Sequence, residues 1–198
     1  MGCFNVTCAI TNLPIQYGEK VQLFILRYVG LGNDGGGSCY SADIWSPICD
    51  PIEGTYNDYG NIENIIINDI TKKLLNILKS NFKLNEAGLE RAKYYDLSTD
   101  VSKYKLEDYL MAIERDFALE FDDFSNKWLP LGHMFVLDEV YQEIIAKTSF
   151  SAFMDNTRRF YSPQTGKGGQ DDGNLTNYKL LNNCIAKIID RREIENAD

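Results

Sequence analysis

The chain has 198 residues, of which 44% are hydrophobic and 12% aromatic, enough apolar side chain to build one substantial core and too much for a disordered protein. Its 29 acidic and 20 basic residues leave a formal charge of −9 and a pI near 4.7, so the average surface repels phosphate backbones and anionic lipid. Direct nucleic-acid binding is therefore disfavoured from the outset.

Cys3 to Thr11 alternates polar with apolar residues, and Lys20 to Val29 reads as a second strand. Asn12-Leu13-Pro14 and Tyr17-Gly18 supply turn chemistry between them, so an opening hairpin is expected. In the second strand Val21, Leu23 and Ile25 share one face while Phe24 and Leu26 share the other, which predicts cover on both sides. From Gly30 to Asn61 no helical period is visible and Pro47 and Pro51 intervene; this reads as a long loop with at most short strands around Cys39 to Trp45. Asn61 can then cap a helix in which Ile62, Ile65, Ile66, Ile70, Leu74, Ile77 and Leu78 recur at spacings of three and four, predicting one buried stripe.

Shorter helical patterns follow over Asn85 to Tyr95 and Leu106 to Phe117, the latter with Leu106, Tyr109, Leu110, Ile113 and Phe117 on one side. Between Glu107 and Asp123 seven acids stand against Arg115 alone, a solvated face or, on a sharper reading, a mimic of nucleic-acid phosphates. Met134 to Leu137 reads as a short strand feeding a helix capped by Asp138, with Val140, Tyr141, Ile144 and Ile145 inward. A second glycine-rich loop spans Asp155 to Asn174. The last helix begins near Asn174 or Thr176 and buries Tyr178, Leu181, Cys184, Ile185 and Ile188. Together these elements predict a single α+β domain over residues 1–198, an N-terminal β-hairpin and antiparallel sheet packed against several amphipathic helices.

No run reaches the roughly 18 to 20 apolar residues that a membrane-spanning helix needs, and residues 1–30 lack the apolar core of a signal peptide, so a cytoplasmic, unanchored protein is expected. Five cysteines at irregular spacing, with His133 as the single histidine, match no zinc pattern; reduced, buried thiols and no metal or cofactor are the expectation. His133 is the one imidazole available as a general base, and its place ahead of a short apolar strand favours a structural role.

The two loops, 30–61 and 155–174, hold 11 of the 15 glycines, and long loops in compact domains are commonly functional. In the first, Glu53, Tyr56, Asp58, Tyr59 and Gly60 combine carboxylates and phenols just ahead of the expected helix, where free N–H groups favour an anion. In the second, Arg158, Arg159, Tyr161, Gln164, Gly166, Lys167, Gly168 and Gln170 offer cations, donors and close backbone approach. These thirteen residues are the candidate ligand or partner site. Neither the phosphate-loop spacing nor the dinucleotide fingerprint is present, and no catalytic set emerges.

Four stretches of the chain resemble an uncharacterised family of small proteins from tailed bacteriophages and their bacterial relatives. They are Cys8-Ala9-Ile10-Thr11-Asn12-Leu13-Pro14-Ile15 with Gly18-Glu19, Pro51-Ile52-Glu53-Gly54 through Asp58-Tyr59-Gly60, Met134-Phe135-Val136 with Val140-Tyr141, and Tyr161-Ser162-Pro163-Gln164 with Gly166 and Gly168. The family pattern has a serine where this chain has Gly169. The resemblance carries no assigned activity; it implies a phage context. The leading expectation is a non-enzymatic phage accessory protein that binds a host or defence protein through the two loops. The alternatives are a small enzyme or nucleotide-derivative binder with a pocket between those loops, and a virion structural component.

Overall fold

The computed structural model describes residues 6–32, 42–57, 62–114, 119–122, 127–150, 152–153 and 175–195. Its longest strand, β1 (Lys20–Gly32), organises the rest. Val21 through Leu26 are all buried, as the two-faced apolar pattern predicts, and a strand buried on both faces must sit inside a sheet. One edge of β1 pairs antiparallel with β7 (Trp128–Leu137), from Val21 opposite Leu137 to Arg27 opposite Leu131. The other edge takes two partners in tandem: β3 (Ile52–Tyr56) beside Lys20 to Leu23, and β2 (Ala42–Pro47) beside Leu26 to Gly32.

Strand β2 overlaps the short strand allowed around Cys39 to Trp45, whereas β3 falls where the stretch 30–61 was expected as loop, which corrects that expectation. Pro51 stands just before β3, and Gly54 lies within it where β4 (Ile62–Ile66) comes near enough to crowd a side chain. A Cβ on Gly54 would meet the Glu63 carbonyl oxygen at 3.1 Å and the Ile62 Cβ at 3.2 Å. Beyond β7 the sheet continues through β6 (Leu119–Asp122) to β5 (Phe82–Leu84), giving the order β4-β3-β1-β7-β6-β5 with β2 also on β1 and every pairing antiparallel.

Residues 6–19 form a tight reversal rather than a long hairpin arm. Thr7 and Pro14 bridge, Cys8 N–H donates to Leu13 O at 2.9 Å, and Asn12 turns the chain at φ 58°. Ala9 N–H donates to Phe135 O at 2.8 Å, which moors this reversal to β7 and seats Cys8 and Ile10 in the core.

The longer helices among the described residues are α1 (Asp69–Ile77), α2 (Glu86–Tyr94), α3 (Leu106–Glu114), α4 (Asp138–Ile145) and α5 (Leu175–Glu195). Helix α1 starts seven residues later than the isoleucine spacing suggests. Residues 62–66 extend as β4, and Asn68, not Asn61, caps the helix by accepting from Thr71 N–H at 2.7 Å. Asn85 does the same for α2 through Gly88 N–H at 3.0 Å. Asp138 is the first residue of α4 and not its cap; its Oδ1 instead accepts from Gln142 Nε2 at 3.0 Å and from the buried Gln22 Nε2 at 2.7 Å.

Val140 and Ile144 of α4, and Leu180, Leu181, Cys184 and Ile188 of α5, are buried; Ile145 is 41% exposed where an inward position was expected. Phe24 of β1 stacks on Phe150 at 4.5 Å and meets Tyr141 edge-on at 5.9 Å. At the β5–β6 end a second aromatic group forms, in which Phe82 approaches Tyr109 at 5.4 Å and Phe121 at 5.6 Å, with Tyr104 5.5 Å from Tyr109. Burial, with Tyr104 and Asp108 nearby, pushes the Tyr109 phenol up to about 12, so it stays protonated and donates to Val101 O at 3.2 Å. No helix among the described residues is long and apolar enough to cross a membrane.

Candidate functional site

Of the thirteen residues proposed from sequence, Glu53 and Tyr56 lie among the described residues. Asp58, Tyr59, Gly60, Arg158, Arg159, Tyr161, Gln164, Gly166, Lys167, Gly168 and Gln170 lie outside them. Strand alternation separates the two that remain: Ile52, Gly54 and Tyr56 are buried, whereas Glu53 and Thr55 sit on the half-buried opposite face. Tyr56 is 6% exposed and its ring meets Phe135 edge-on at 6.0 Å. It is a core residue, not the ligand-facing phenol expected.

The sequence pattern gave no hint of the charge cluster where α5 meets the start of β1. Glu19, whose side chain is 9% exposed, accepts from Arg191 Nη2 at 2.7 Å and from Arg192 Nε at 3.0 Å on one oxygen, and from Arg192 Nη2 at 2.8 Å on the other. Gln16 N–H adds a fourth donor at 2.8 Å. Arg191 also bonds Glu139 of α4 and Glu195 at 2.9 Å each, and Arg192 Nη2 donates to Pro14 O at 2.8 Å.

Burial alone would raise the Glu19 pKa, but the Arg192, Gln16 and Arg191 hydrogen bonds outweigh it and hold the carboxyl below its ordinary 4.5. Burial likewise works against the Arg191 charge and is overcome by Glu19, Glu139 and Glu195, so its pKa is raised. The Arg191 fork and the Glu19 carboxylate are thus committed to one another. A trough of about 450 Å³ runs past Tyr17, Lys20 and Asp138 here, and a second of about 390 Å³ lies between Gln142 of α4 and Lys187 of α5. Cys184 lines the second, but burial, with Glu143 adding to it, raises its pKa and keeps the thiol protonated. Burial and Asp50 push Cys49 up to about 12, so both are poor nucleophiles.

The acids between Glu107 and Asp123 do not form one helix face. Glu107 and Asp108 lie in the first turn of α3, while Glu120 and Asp122 lie on β6, where Glu120 pairs with Lys83 at 3.2 Å. His133 lies in the middle of β7, opposite Ile25, with its ring edge-on to Phe135 at 5.5 Å.

Helix α1 presents the most unusual surface. Thr71 and Leu75 bury its inner face, at 1% and 4% exposure, and Leu78 just beyond it is half-buried. Ile70 and Ile77 are 73% and 72% exposed, with Leu74 between them half-buried. At about 100° per residue these two sets are adjacent, so the apolar arc spans about 160° of the helix, and only its inner part meets the fold. Ile66, at the end of β4 and two residues before the cap, is 62% exposed. The isoleucine spacing did pick these residues out, but assigned them inward; Ile66, Ile70 and Ile77 in fact face outward. Lys73 borders this stripe, whereas Lys72 and Lys79 lie on the opposite side of the helix; Lys72 and Lys73 are exposed and Lys79 half-buried, and none of the three enters an ion pair among the described residues.

No protein-family model, curated protein or solved structure matches the chain.

Proposed function

We propose that this chain works by binding another protein through the outer face of α1 and the adjoining end of β4. The phage resemblance supports placing that role in an accessory protein directed at a host or defence factor in the host cytoplasm. The carrying observation is the outward set Ile66, Ile70 and Ile77 at 62–73% exposure. Single exposed apolar side chains are ordinary, whereas a run of them continuing the apolar arc of one helix is the usual mark of a contact surface. Burial of a side chain of this size is worth about 1.5–3 kcal/mol, so covering three supplies a driving force of the size transient partners use. The pocket alternative is weakened because Tyr56, one of the phenols it requires, belongs to the core.

Photocrosslinking tests this reading. Benzoylphenylalanine placed at position 70 should give an adduct of defined mass in host lysate. The same group at position 17, where Tyr17 is 65% exposed in the turn before β1 and outside both β4 and α1, should not. No adduct at position 70, or equal adducts at both positions, overturns the proposal.

A further inference from the structure

We draw no further inference here: the strongest candidate, the outward apolar stripe of Ile66, Ile70 and Ile77 along the end of β4 and α1, belongs to the site already described, and nothing in the structure shows what covers it.

Discussion

Helices α1 and α5 present opposite solutions to the same problem. The carboxy-terminal turns of α5 carry strong charges, and Arg191, Arg192 and Glu19 are joined by three bonds of 2.7–3.0 Å. Along α1 the outer apolar residues meet solvent and the nearby lysines meet no acid among the described residues. A fold has every reason to close its own contacts, and α5 shows that this chain does so over a sequence separation of 172 residues. The stripe left open on α1 points to contact with something else. Substitutions at the two helices should therefore separate stability from binding.

The largest stability effect is expected at the closed end. Glu19→Ala takes away the buried carboxylate that Arg191 and Arg192 share, and breaking such a pair costs about 3–5 kcal/mol. The lower part of that range applies, since the Arg191 side chain is 34% exposed and partly rehydrates. Chemical denaturation should show the drop. The effect has a sign in pH. Glu19 has a folded pKa below its ordinary 4.5, so the stabilisation is fully present above that value and disappears as pH falls through the lower folded value. The gap in melting temperature between the native chain and Glu19→Gln should hold steady above about pH 5 and narrow on further acidification. A gap that widens in acid would refute the paired state.

On α1 the inner face should behave as core. Leu75 is 4% exposed, and Leu75→Ala should cost about 3 kcal/mol through lost burial and a residual cavity. Thr71, at 1% exposure, has a hydroxyl with no partner among the described residues, and Thr71→Val keeps its shape while removing that polar atom. A gain of about 1 kcal/mol is expected, and a loss would show that the hydroxyl is engaged.

The readable and unreadable parts of this fold divide along physical lines. Helix α2 was legible because Asn85 caps it and α5 because Leu181, Cys184 and Ile188 repeat at helical spacing, both signals local to the element. Strand β1 was legible because apolar residues fill both of its faces. The stretch from Ile62 to Leu78 misled because isoleucines three and four apart fit a helix, while a β-branched run extends just as readily; Asn68 and Asp69 mark the true start. Strand β3 was hidden by Pro51 and Gly54, breaker residues that here mark a strand start and a close backbone approach. The Glu19 cluster had no local signal, because its members meet only once β1, α4 and α5 have packed. Tyr56 was picked for its chemistry, which says nothing of the strand face it occupies.

The smallest expected stability effect decides most. Ile70→Ser and Ile77→Ser remove exposed side chains that contribute little to the fold, so each should change stability by no more than about 0.5 kcal/mol. A buried isoleucine treated the same way would cost several times as much, by burial of its transfer energy alone. Selection for folding therefore does not explain why residues 70 and 77 are isoleucines, when serine or lysine would hold the helix and improve its solubility. If the double variant melts with the native chain yet gives no crosslinked partner, the outer stripe serves contact and only contact. If it melts well below the native chain, α1 is packed more completely than its exposure indicates, and the contrast with α5 disappears.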